Sequence, residues 1–443
     1  MSSGKRYFFG NTAFSMTCAF VIGGCAYLTR RFTSNGLSGN EYAFFYSTFS
    51  LVTLLVALFS MGIPNASFFC IPDARNRGQV DEAHGFYAWC ARWVFLVGVF
   101  LTVVGLPAVL LAGDSMERYG INSRRIFWLL LLLPLPFSVF AATTLLLNGL
   151  KEFVASNLLQ LWNTTTILAG VWLFQAKYGL AAVITVYAIG AWCAGLGGII
   201  WARRKHGFTV LHQVSPDGRK RLMKAGGWLL LSCTGYYFFA ELGNVILSYR
   251  VTPEETLLFN IALPVALMIR PLYAISEVFA PFSNQLYQEG DTRALRRSVW
   301  SMLGGTAVMM AGAGIVFGFG GRWILTLLFG AEFADAAPCT LILIEGALLW
   351  NAARFYADML NSMHHERRAA LITAGAAALS VVLYWILSSR LGADGTAWAA
   401  LIASAVWLVA VLVSVLFVLA WTPRGRNRHG GSTCSTPAPS ATR

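Results

Sequence analysis

Charge is scarce in this sequence. Asp, Glu, Lys and Arg make up 12% of its 443 residues, against about a quarter in a soluble domain. That deficit excludes an ordinary water-soluble globule. Paired cysteines are also missing. The eight cysteines, Cys18, Cys25, Cys70, Cys90, Cys193, Cys233, Cys339 and Cys434, are spread singly with no CxxC motif, and most read as small apolar side chains inside greasy runs. The six histidines show no zinc-ligand spacing, and no Walker A loop is present. We therefore expect no metal, no cofactor and no ATP hydrolysis by this chain.

What the sequence does have is length without charge. No charged residue occurs in Tyr7–Thr29, Tyr42–Pro72, Trp93–Gly113, Ile126–Leu150, Phe153–Ala176, Tyr178–Ala202, Ser298–Gly321, Ala369–Ser389 or Thr396–Pro423. A membrane-spanning helix needs about 20 apolar residues. Each of these nine runs predicts a span. Three further stretches, 225–249, 256–286 and 336–361, have the length and hydropathy but carry charges. The expectation is an all-α membrane protein of twelve spans. The N-terminal run after Lys5 and Arg6 is too long for a signal peptide and lacks a small-x-small cleavage site.

The net charge of +13 reports orientation, not a nucleic-acid partner. With the N-terminus placed inside, the inner segments hold 21 of the 33 basic residues. The outer segments hold nine, and Arg92, Arg270 and Arg354 fall within spans. This bias puts both termini in the cytoplasm. The loops expected outside are all short, which argues against a large catalytic outer domain.

The two halves look duplicated. Leu147-Asn148 matches Leu360-Asn361, Gly179 matches Gly392, and Glu41 matches Glu254, each at an offset of 213 and at an equivalent span boundary. Six spans per repeat is an even number, so the repeats are parallel, an arrangement that places substrate sites at their interface. The expected units are an N-terminal lobe over 1–202, a basic cytoplasmic linker over 203–224, a C-terminal lobe over 225–421 and a disordered cytoplasmic tail over 422–443.

Short motifs then point to a family. Leu327-Leu328-Phe329-Gly330-Ala331-Glu332-Phe333-Ala334-Asp335-Ala336-Ala337 resembles the "LFG-x-x-F-x-x-A" signature of bacterial polysaccharide-transport flippases. Leu360-Asn361, Leu391-Gly392-Ala393-Asp394-Gly395-Thr396-Ala397 and Gly36-Leu37-Ser38-Gly39-Asn40-Glu41-Tyr42 fit the same pattern, with Ala43 in place of a usual glycine. The sequence is thus similar to the polysaccharide-transport family of the multidrug/oligosaccharidyl-lipid/polysaccharide exporter superfamily. The resemblance implies two six-helix lobes, with spans 1, 2, 7 and 8 lining a central cavity. It implies an activity too: flipping undecaprenyl-pyrophosphate-linked sugar repeats to the outer leaflet of the bacterial inner membrane. Membrane lipids and polysaccharide-assembly proteins would be the partners.

Charges inside the spans are the candidate site residues, because each is costly unless it faces protein or a wet cavity. Arg270 and Glu277, seven residues apart, share one face of span 8. Prolines 264, 271 and 281 would let that span bend. Arginine suits a phosphate, which accepts its planar fork. A carboxylate, Glu277 or Glu241, would offset that charge or carry a coupling H+, with Na+ as the other candidate ion. Arg30 and Arg31 end span 1 at the outer surface, where they either meet pyrophosphate or anchor the helix. Arg354 and Asp358, at i and i+4, suit a structural or gating ion pair. Arg92 would snorkel inward. Pro134 and Pro136 predict a kink in span 4. Glycines 304, 305, 312, 314 and 318 of span 9 would allow close helix packing. The rival readings are a cation-coupled multidrug antiporter of the same superfamily, a peptidoglycan-precursor flippase and a membrane polysaccharide polymerase or ligase.

Overall fold

The computed structural model describes residues 3–108, 115–121, 124–150, 152–268, 283, 286–287, 290–363 and 365–421. These residues form helices and short connections, with no strand among them. In chain order the helices are α1 (Ser3–Gly36), α2 (Gly39–Phe59), α3 (Ile63–Asn76), α4 (Val80–Phe100), α5 (Ser115–Arg118), α6 (Arg124–Leu130), α7 (Pro134–Gly149), α8 (Phe153–Tyr178), α9 (Leu180–His206), α10 (Pro216–Tyr237), α11 (Gly243–Arg250), α12 (Pro253–Leu267), α13 (Thr292–Phe329), α14 (Ala337–Ser362) and α15 (Glu366–Trp421). Seven helical stretches are long and apolar enough to cross a membrane by themselves. Followed pass by pass, the described helices account for the twelve expected spans, span 8 only in part. Span 2 is α2 with α3, span 4 is α6 with α7, span 7 is α10 with α11, and α15 holds spans 11 and 12. Only the first part of span 8, α12, lies within the described residues.

Breaks in the helices have local causes. The apolar run from Tyr42 to Pro72 is too long for one straight crossing, and the chain divides it. Ser60–Gly62 separate α2 from α3, and Met61 and Gly62 both take positive φ, 52° and 65°. Pro64 then lies in the first turn of α3, where its missing N–H is not needed. Span 4 breaks at 131–133, just before Pro134, as its prolines predicted. Pro264 sits inside α12 without ending it. Spans 3 and 7 contain π turns at Leu101–Gly105 and Phe238–Leu242.

The repeat is visible in backbone geometry. Gly179 and Gly392 have φ/ψ of 57°/−137° and 59°/−133°, a region that suits glycine and strains other residues. Leu147 O accepts the Glu152 N–H at 2.9 Å, and Leu360 O accepts the His365 N–H at 2.9 Å. The third pairing needs correction. Ser38 caps α2 and its hydroxyl accepts the Glu41 N–H, while Thr252 caps α12 and accepts the Glu255 N–H. The counterpart of Glu41 is therefore Glu255, one residue beyond the expected Glu254. The Glu255 carboxylate reaches across to the Ala393 N–H at 2.8 Å, which ties the start of span 8 to the break between spans 11 and 12.

Packing sorts the helices into two groups. In the first half α9 lies between α7 and α8, and α1 lies on α8. In the second, α14 packs on α13 and α15. The groups meet where α2 contacts α11 and α12, and where α3 contacts α10. Span 9 departs from its expectation. Only 6% of its apolar window is buried, and a side chain added at Gly304, Gly305, Gly312 or Gly318 would meet nothing within 4 Å. These glycines face open space. Gly314 alone has a neighbour, Oε1 of Glu345, 3.8 Å from where its Cβ would stand.

Candidate functional site

The seam between the groups holds a cluster of buried polar side chains. Asn244 of span 7 and Asn260 of span 8 are each 1% exposed. The Asn244 amide donates to Asn260 Oδ1 at 2.8 Å and to Ser50 Oγ at 2.9 Å, and its Oδ1 accepts from Ser47 Oγ at 3.3 Å. Asn260 also donates to Thr256 O at 3.0 Å. Spans 2, 7 and 8 are thus joined by neutral groups in a dry environment. A buried amide left without partners costs about 1–3 kcal/mol, so the cluster holds the seam in one register.

Arg30 completes it from span 1. Its Nη1 donates to Asn260 O at 3.1 Å, and its guanidinium carbon lies 4.3 Å from the centre of the Tyr46 ring. Tyr42 packs on Tyr46 with ring centroids 4.6 Å apart, and the Tyr46 hydroxyl meets that of Tyr187 at 3.4 Å. A carbonyl and an aromatic face both favour a cation. Among the described residues no carboxylate lies within salt-bridge distance of Arg30. Glu241, half-buried on the π turn of span 7, acts on it only at longer range. A guanidinium has five N–H donors; among the described residues the Asn260 carbonyl accepts from one, and the Tyr42 and Tyr46 side chains lie against the group. A guanidinium fork is the side chain best matched to a phosphate or carboxylate.

The structure separates residues that the sequence grouped. Arg30 and Arg31 do not end the first helix, because α1 continues to Gly36. Arg30 is consequently half-buried and points into the seam. Arg31 is exposed and donates to Leu327 O at 3.2 Å, beside the Tyr27 hydroxyl bonded to Leu328 O at 2.7 Å. Arg354 and Asp358 do form their i, i+4 pair, Nε to Oδ2 at 3.1 Å, half-buried in span 10. Arg270 and Glu277 lie outside the described residues. Asn244, Asn260, Ser47 and Ser50 escaped the sequence reading. The available signal was an asparagine in each of two apolar runs, Gly-Asn-Val-Ile-Leu and Phe-Asn-Ile-Ala-Leu.

The end of the seam that bears the basic linker is built from ions. Arg221 of span 7 pairs with Asp73 of span 2 and lies 3.8 Å from Glu82 of span 3. Between the ends the backbones touch. A side chain at Gly62 would overlap the Gly226 carbonyl oxygen, and one at Gly226 would stand 2.8 Å from Met61 O.

The profile of a polysaccharide biosynthesis protein family matches residues 8–286, more than half of the chain. The chain belongs to this family. An uncharacterized membrane protein of Methanocaldococcus jannaschii is 19% identical over 415 residues, covering 85% of this chain and 78% of the relative. An inward-facing multidrug resistance MATE family transporter of the MOP superfamily superposes with a TM-score of 0.72 at 14% identity, covering 91% of this chain and 94% of that one. A MOP superfamily transporter from Pyrococcus furiosus gives 0.65 at 13%, covering 93% and 95%. This polysaccharide biosynthesis family member is thus a multi-pass membrane protein with the two-lobed MOP fold, and the Arg30 cluster lies where the lobes meet.

Proposed function

We propose that this chain is a flippase moving undecaprenyl-pyrophosphate-linked oligosaccharide units across the bacterial inner membrane. Residues 1–202 and 225–421 are the lobes that rock, and both termini and the 203–224 linker face the cytoplasm. Family membership supports a polysaccharide pathway. The observation that carries the reading is Arg30, a seam cation that among the described residues meets a carbonyl and a ring, with no carboxylate within salt-bridge distance. A diphosphate accepts the guanidinium fork, whereas a cationic drug is repelled by it. The antiporter reading is accordingly second. In this orientation the Asn244–Asn260 cluster is the outer closure, and alternating access requires it to part before release. Glu241 is the carboxylate to test for a coupling proton.

Deletion of the protein is expected to leave lipid-linked units on the inner leaflet and abolish the surface polymer. Arg30→Ala should lose flipping at normal expression, and Arg30→Lys should recover part of it, since lysine keeps charge but not the planar fork. Polymer that survives deletion, with raised sensitivity to cationic dyes and no redundant flippase, would instead establish the antiporter.

A further inference from the structure

The connection between the lobes, residues 207–215, ties down its ends and exposes its centre. Phe208 is 3% exposed, stacks on His84 at 4.3 Å and packs at a tilt against Tyr87 at 4.9 Å. A Cβ at Gly85 would stand 3.0 Å from Gln213 O, so this backbone lies directly on α4. Arg92 Nη2 donates to His212 O at 3.0 Å. Between these fixed points Leu211 is 83% exposed.

Leu211 adjoins an exposed apolar stretch of α4. Arg92, which grips the neighbouring residue, lies one helical turn from Phe95 and Leu96, and both of those are exposed. Trp89 and Trp93 stack at 5.7 Å beside Arg92, as aromatic side chains do at a membrane interface. Arg219 of span 7 places its guanidinium 5.6 Å from the Trp89 ring. The stretch 203–224 carries seven basic residues and one acid, Asp217. An exposed leucine amid cations has an unfavourable place in water and a favourable one among anionic lipids.

We propose that the 207–215 connection is an interfacial anchor: Leu211 inserts into the leaflet on the basic face, and Arg92 and Arg219 hold an anionic phospholipid headgroup against Trp89. The interlobe connection is then fastened to lipid as well as to α4. The inference is independent of what the protein transports.

The test uses the full-length protein in nanodiscs of phosphatidylcholine with or without phosphatidylglycerol. A bimane is placed on a single cysteine by Leu211→Cys, with the native cysteines replaced. Quenching by lipids carrying a shallow doxyl label is expected, together with protection from aqueous iodide. Native mass spectrometry should show one phosphatidylglycerol retained in preference to phosphatidylcholine. Its retention should weaken on the order of fivefold in each of Arg92→Gln and Arg219→Gln. The unsubstituted protein gives the lipid preference even if a variant folds poorly. A probe open to iodide and untouched by doxyl lipids would overturn the proposal. So would protection from both quenchers, which would assign the patch to a protein contact. Equal retention of the two lipids would overturn the headgroup site.

Discussion

Spans 2 and 7 lie together from one face of the membrane to the other, yet their ends are made of different materials. Away from the basic face, Ser47 and Ser50 meet Asn244 in a dry amide network. At the basic face, Asp73 meets Arg221 with both side chains more than a third exposed. A neutral network excluded from solvent is insensitive to salt and costly to leave half-made. An exposed ion pair is weak, screened and easily remade. The two ends should therefore differ in how much stability they carry and in what weakens them.

The largest effect is expected between them. Gly62→Ala would drive a methyl group into the Gly226 carbonyl while occupying a positive φ. Overpacking and left-handed strain together suggest a loss of about 3 kcal/mol, read as thermal unfolding in detergent. A neutral result would mean that the helices part freely there and that the comparison lacks a fixed middle. Next is Asn244→Ala, which strands Asn260 Oδ1 and the two serines. A loss of about 2 kcal/mol is expected, unchanged by salt, along with more frequent opening of that end in spin-label distance distributions. Arg221→Ala should cost less than about 1 kcal/mol, and the difference from wild type should vanish in high salt. If Arg221→Ala outweighed Asn244→Ala, the assignment of strengths to the two ends would be reversed.

The smallest effect is confined to acid. Glu152, 14% exposed, pairs with Lys205 at 2.8 Å and His206 at 3.0 Å where α9 meets the α7–α8 connection. Burial acts to raise its carboxyl, but the hydrogen bonds from Lys205 and His206 outweigh burial and hold it below its usual 4.5. A carboxylate depressed in the folded state stabilises above the unfolded value and loses that contribution as pH falls through the folded one. Wild type should therefore lose its advantage over Glu152→Gln only below about pH 4.5, in unfolding midpoints measured across pH. A difference independent of pH would show that packing, not the ion pair, matters there.

The number of spans was legible because twenty apolar residues in a row have few other uses. Helix ends were less so. A search for uncharged runs stopped span 1 at Thr29 because Arg30 follows, whereas backbone hydrogen bonding continues through a charged residue whenever its side chain finds a carbonyl and a ring. The same search passed over Asn244 and Asn260, since an amide carries no formal charge yet dominates a dry seam. The division of span 2 showed only as excess length, because which residues turn left-handed depends on the approach of Gly226, a contact 164 positions along the chain. Span 9 shows the reverse limit. Its glycines have the composition of a packing face, but nothing in their spacing says whether a neighbour is present.

The contact at Gly62 and Gly226 also sets a mechanical ratio. Along span 7, Arg221 stands about 7.5 Å from Gly226 and Asn244 about 27 Å on the other side, at the rise of an α-helix. With the backbone contact as fulcrum, span 7 is a lever with unequal arms. A tilt that shifts Arg221 by ~1 Å would carry Asn244 between ~3 and ~4 Å by the same rise, farther than a hydrogen bond is long. The short arm thus trades force for displacement: a small shift at Arg221 is magnified at Asn244, while the work that parts the amides has to exceed what the exposed ion pair itself is worth.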